Sequence, residues 1–203
     1  MGLSRREEPS LAAGDADAYL LSRLRRGDLE ALGLLYERHK MEVFRTALAI
    51  TRDQGAAEDI LQECFLRLYA NAGRIWADRP LGPWLYRVTV NLSYDWYQDR
   101  QRWVGPLETM VERLISPLHA LPEPLAERTE VQEQVQKALE RLPFSHRVVV
   151  VLFYLEGLSL KEIAEILEVP EGTVKSRLHY ARESLREMLT EWRPVARVAC
   201  EFT

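Results

Sequence analysis

Cysteine is scarce in this chain of 203 residues: there are only two, Cys64 and Cys200, far apart in sequence. No paired spacing suggests a disulfide framework or a zinc site, so both are expected to be reduced thiols in a cytoplasmic protein. Histidine is nearly as rare, with His39, His119, His146 and His179 scattered singly. No glycine-rich phosphate loop, nucleophile elbow or metal-ligand spacing accompanies them, which argues against an enzyme and implies no cofactor. A lone histidine such as His39 is expected at a surface or capping position. The longest apolar run, Val148 to Leu155, is far too short for a bilayer, and the charged start MGLSRREEPSLAAGDAD lacks an apolar signal core. The expectation is a soluble, cytoplasmic chain without membrane insertion. Overall basic charge is missing too: the formal net charge is -4, which excludes a uniformly basic nucleic-acid coat.

The charge that is present is segregated. From Thr173 to Arg197 basic residues outnumber acidic ones by three, and from Val104 to Glu130 acidic residues lead by three. About half of the residues are hydrophobic, enough to bury a core. Their periodicity is helical from Asp15 onward. One helix is predicted over Asp28 to Thr51, and a second from about Ala56 to Ala72, with Asp53 as its N-cap and Tyr69 on its buried side. A loop from Gly73 to Gly82 follows. Pro83 suits the first turn of a third helix, which ends near Trp103. Pro106, Pro117, Pro122 and Pro124 mark a loosely structured acidic linker. Helical pattern resumes at about Pro124 and breaks at Leu142-Pro143. The β-branched run Val148 to Val151 favours a strand by propensity, but its helical surroundings argue for a buried helix. The fold class is therefore all-α. Two small helical domains, residues 15–104 and 128–192, are joined by a flexible linker over 105–127.

The most specific local pattern lies between Gly157 and Leu189. Ser159 and Glu162 have the spacing of a capping box, Glu168-Val169-Pro170 makes a turn, and Glu171-Gly172-Thr173 opens a second helix. Val174, Leu178, Ala181 and Leu185 fall on one face of that helix, leaving Lys175, Ser176, His179, Tyr180, Arg182 and Arg186 outside it. A helix-turn-helix whose second helix exposes basic and hydroxyl side chains near its start has the chemistry of a major-groove reader.

Upstream, Asp59, Gln62 and Glu63 share one helix side opposite the apolar positions. Their acidic and amide character suits a basic protein partner. The segment PLGPWLYRVTVNLSYDWYQDRQRW interleaves six aromatic residues with Arg87, Arg100 and Arg102. Aromatic, arginine and amide groups together can hold unstacked bases. Tyr86 and Trp96 are expected in the core, and Trp84 suits either role.

These stretches resemble the bacterial sigma-seventy family of RNA polymerase sigma factors, in particular its extracytoplasmic-function (ECF) group, over roughly residues 18–190. LKEIAEILEVPEGTVKSRLHYARESL resembles region 4, which reads the minus-thirty-five element. The resemblance implies upstream DNA contacts by Thr173, Lys175, Ser176, Arg177, His179, Tyr180 and Arg182. The family commonly has arginine where this chain has Tyr180, and a phenol brings no charge to a phosphate. Asp-x-x-Gln-Glu resembles region 2.2, which docks on core RNA polymerase, and the role passes to Asp59, Gln62 and Glu63. The aromatic segment resembles regions 2.3 and 2.4. That implies minus-ten strand contacts by Arg74, Trp76 and Arg79 in a base-capturing loop and by Trp84, Arg87 and Asn91 on a reading helix. The implied partners are core RNA polymerase, promoter DNA in double- and single-stranded form, and an anti-sigma factor. In ECF relatives the linker threads the polymerase channel. A second reading, a regulator of response-regulator type with the same terminal helix-turn-helix, requires an upstream α/β receiver.

Overall fold

The computed structural model describes residues 13–75, 80–103 and 130–191. Within them every regular element is helical, and no strand is present.

Helix α1 (Ala13–Leu24) turns back through Gly27, which takes the left-handed backbone conformation at φ 87°. Asp28 then caps α2 (Leu29–Thr51), its carboxylate accepting from the Glu30 N–H at 3.0 Å. Arg52 ends α2 in the left-handed region, and its N–H donates to the Leu48 carbonyl. Asp53 caps α3 (Gln54–Asn71) by accepting from the Ala56 N–H at 2.9 Å, so α3 starts two residues before the hydrophobic pattern does. Helix α4 (Leu81–Trp103) carries Pro83 in its first turn, where the missing N–H leaves no bond broken. Helices α1, α3 and α4 pack on α2 around Leu21, Leu35, Leu68, Leu81 and Leu85.

The C-terminal half consists of α5 (Glu130–Arg141), α6 (Phe144–Val150), a π-helical turn (Val151–Leu155), α7 (Leu160–Leu167) and α8 (Glu171–Glu191). Val148 to Leu152 are buried and helical, so burial overrides the strand propensity of the valines. The π turn is the departure from a simple helix: the Glu156 N–H reaches back to the Val151 carbonyl. The expected linker, 105–127, lies outside the described residues.

The two halves pack against each other. Ile50, Tyr86 and Val90 of α2 and α4 belong to one buried cluster with Phe144, Val148, Leu152, Ile163 and Leu178. Tyr94 and Tyr97 of α4 flank the Phe144 ring, with centroids at 4.7 and 4.4 Å.

Three side chains differ from expectation. His39 is buried, not at the surface: Nε2 lies 2.9 Å from Asp17 and Nδ1 3.2 Å from Glu42. Tyr69, expected on the buried side of α3, is 50% exposed. Trp96 is half-buried, with the Arg100 guanidinium over its ring at 5.4 Å.

Candidate nucleic-acid and polymerase interfaces

The helix-turn-helix is built by local chemistry. The Ser159 hydroxyl accepts from the Glu162 N–H, and the Glu162 carboxylate accepts from the Ser159 N–H at 2.8 Å, closing the capping box. The Ser159 hydroxyl, which donates to this carboxylate at 2.6 Å, and then the Ser159 N–H hold the Glu162 carboxyl below its usual range. Glu168 ends α7 at φ 54°, and α8 begins three residues on. Val174, Leu178 and Ala181 are buried, which fixes the rotation of α8.

That rotation sorts the predicted DNA contacts. Lys175, Ser176, His179 and Tyr180 are exposed on one stripe, with the His179 and Tyr180 rings 5.5 Å apart. Thr173 is half-buried at the helix start, where its carbonyl accepts from the Ser176 hydroxyl. Arg177 turns the other way: it is half-buried, and its charge acts on Tyr94 and His146. Burial, with the Arg177 charge added, lowers the His146 pKa. Arg182 donates to the Tyr154 hydroxyl at 2.7 Å and lies over the Phe153 and Tyr154 rings. The structure therefore brings four of the seven residues to one open surface, with Thr173 at its edge.

On α3, Asp59 and Gln62 are exposed and Glu63 is half-exposed, paired with Arg67 at 2.8 Å. Leu66 and Tyr69 continue this face, and Leu66 is 62% exposed. Sequence reasoning missed both. The available signal was spacing: Leu66 stands three and four residues beyond Glu63 and Gln62, and Tyr69 three beyond Leu66.

Helix α4 presents Asn91 to solvent, while Trp84 packs partly against the bundle core. Arg87 donates to the Glu165 carbonyl at 2.5 Å and pairs with Glu168 at 2.9 Å, so it lies against the turn of the helix-turn-helix. Arg74 is exposed at the foot of the loop, whose start is clamped by Arg25 donating to the carbonyls of Ala72 and Ile75. Trp76 and Arg79 lie outside the described residues.

Beneath these surfaces runs a polar network. Burial alone would push the His39 imidazole down, but its hydrogen bonds to Asp17 and Glu42 outweigh it and raise its pKa to about 9. The His39 contact holds the Glu42 carboxyl low. The Tyr86 hydroxyl meets both Glu42 and Glu156, and burial followed by these carboxylates pushes its pKa up. Among the described residues, no three His, Cys, Asp or Glu side chains gather to hold a metal. No described helix is long and apolar enough to cross a membrane. Residues 13–75 and 80–103 contain no strand from which an α/β receiver could be built.

Comparison with known proteins agrees with this geometry. The family description "Sigma-70 region 2" matches residues 35–103, and "Sigma-70, region 4" matches residues 132–185. The ECF RNA polymerase sigma factor SigW of Bacillus subtilis is 32% identical over 84% of this chain and 95% of its own. The ECF RNA polymerase sigma-E factor of Escherichia coli K12 is 32% identical over 83% of this chain and 92% of its own. Among solved structures, CnrH in complex with the cytosolic domain of CnrY has a TM-score of 0.63 at 23% identity, covering 88% of this chain and 99% of that one. The Bartonella quintana sigma factor RpoE, solved with the anti-sigma factor NepR, has a TM-score of 0.61 at 23% identity, covering 84% and 99%. These two share the fold. The chain belongs to the sigma-70 family as an ECF RNA polymerase sigma factor, a factor that directs promoter-specific initiation of transcription.

Proposed function

We propose a division of labour among three helix faces. Helix α8 reads the upstream promoter element through Lys175, Ser176, His179 and Tyr180, with Thr173 at its start. Helix α4 and the preceding loop capture the minus-ten strand through Arg87, Asn91, Trp84, Arg74, Trp76 and Arg79. Helix α3 grips core polymerase through Asp59, Gln62 and Glu63. Leu66 and Tyr69 add the apolar contact area that protein interfaces concentrate at their centres. Residues 15–104 and 128–192 thus act as the two promoter-reading units, and 105–127 as the connection that threads the polymerase.

The observation that carries this reading is the outward stripe Lys175–Ser176–His179–Tyr180 on a helix whose opposite face is locked into the core. Its charge is modest, so tight promoter binding belongs to the holoenzyme, in which both reading faces are held together. The protein acts without catalysis of its own, in the cytoplasm, and an anti-sigma factor of the kind bound in the Bartonella quintana complex is a fitting regulator.

The test is transcription in vitro with core polymerase on a randomised promoter library. Selective enrichment of two spaced elements supports the reading. Failure of the purified chain to form a stable complex with core polymerase removes it.

A further inference from the structure

Tyr154 stands outside the helix-turn-helix, in the π-helical turn before it, and is 60% exposed. Its hydroxyl accepts from the Arg182 Nε at 2.7 Å, across 28 positions of sequence. The Arg182 guanidinium also lies over two rings, 5.4 Å from the Phe153 centroid and 5.5 Å from that of Tyr154. Phe153 meets Tyr154 edge-on at 5.0 Å, so each ring steadies the other. Nε is thereby held, while no described residue takes the two terminal nitrogens, and Arg182 is exposed.

At about 100° per residue, Lys175, His179, Arg182 and Arg186 fall within about 60° of one another around α8, and all four are exposed. Arg182 stands seven residues beyond Lys175, about 10 Å along the axis. The major groove is about 12 Å wide. With the start of α8 over base edges, the terminal nitrogens of Arg182 therefore arrive at the phosphate rim.

We infer that Tyr154 is a positioning residue for upstream-element binding: with Phe153 it holds Arg182 as a phosphate anchor at the rim of the groove. The inference rests on the reading of α8 as the upstream-element helix. A guanidinium fixed through Nε keeps both terminal nitrogens for a paired contact with one phosphate. A loose arginine must be immobilised on binding, and seating it beforehand is worth about three- to tenfold in affinity.

For the experiment, holoenzyme assembled from core polymerase and the full chain is titrated with a duplex promoter recovered from the randomised library, at salt from about 50 to 200 mM. Arg182→Gln is expected to lower affinity about tenfold and to reduce the dependence of log affinity on log salt by about one. Tyr154→Phe keeps the ring and the arginine charge, so it should lower affinity about threefold with the salt dependence unchanged. Tyr154→Leu removes the ring as well and should approach the loss seen in Arg182→Gln. In the Arg182→Gln background neither Tyr154 variant should cost anything further. Should Tyr154→Leu fail to fold, Tyr154→Phe carries the test. A contact that only fastened α8 to the turn would lower the melting temperature and leave the salt dependence of Arg182→Gln as it was, which overturns the inference. So does a Tyr154→Phe loss of the same size in both backgrounds. Lys175→Ala separates these outcomes from failure of the underlying reading. Undiminished binding there removes α8 from the upstream element, and the anchor with it; a loss there with none in Arg182→Gln overturns the anchor alone.

Discussion

His39 bonds to a carboxylate through each ring nitrogen, an arrangement that only the doubly protonated imidazolium satisfies. Its pKa is raised to about 9 in the fold, against an ordinary value of 6.5. The charged form therefore stabilises the native state fully below pH 6.5, and that contribution is lost as pH rises through 9. Melting experiments from pH 6 to 9.5 should show a fall in stability of about 1–3 kcal/mol that His39→Gln flattens. Cys64 makes a second residue-level case. Burial pushes its thiol up to about 11, and the Thr89 hydroxyl lies 3.9 Å from the sulfur. Alkylation of Cys64, followed by peptide mass mapping, should track global unfolding. Neither environment was legible in the sequence. Asp17 is 22 positions from His39, and only the packing of α1 on α2 brings the two together.

At the scale of the element, caps and periodicity were readable because both are local. The Asp53 cap and the Ser159–Glu162 box stand where the residue types placed them. Ser159→Ala should cost about 1 kcal/mol, read by urea denaturation, since it leaves the start of α7 without its side-chain partner. The exposed stripe of α8 was equally legible, because Val174, Leu178 and Ala181 dictate which side faces inward. The orientations of Arg177 and Arg182 were not, since Tyr94, His146 and Tyr154 lie on other helices. The proposed division of labour makes opposite expectations for α8 and α3. Lys175→Ala should weaken upstream-element recognition while leaving polymerase assembly intact. Gln62→Ala with Glu63→Ala should lower affinity for core polymerase by about tenfold or more, measured by native gel or fluorescence anisotropy. Equal loss of assembly in both variants contradicts the division.

For the whole molecule, the fold class followed from the helical period throughout, but the joining of the two halves did not. Ile50, Tyr86 and Val90 look like ordinary core residues of the first bundle, and nothing in their spacing shows that their neighbours lie more than fifty positions away. The Arg87–Glu168 pair is invisible for the same reason. The shared cluster predicts that the halves melt together. Calorimetry should show one transition for the unmodified chain. Ile50→Ala, at a cost of about 2–5 kcal/mol, should split it into two.

The π-helical turn at Val151–Leu155 also sets the phase of everything after it. The wider coil takes up about one residue more per turn than an α-helix, so winding these same residues as regular α-helix, at about 100° each, would swing the following segment by about a quarter of a revolution. Glu156 would then point away from Thr46 and Tyr86, and Tyr154 away from Arg182. One slack coil thus acts as the alignment key by which the second half of the chain finds its seat on the first.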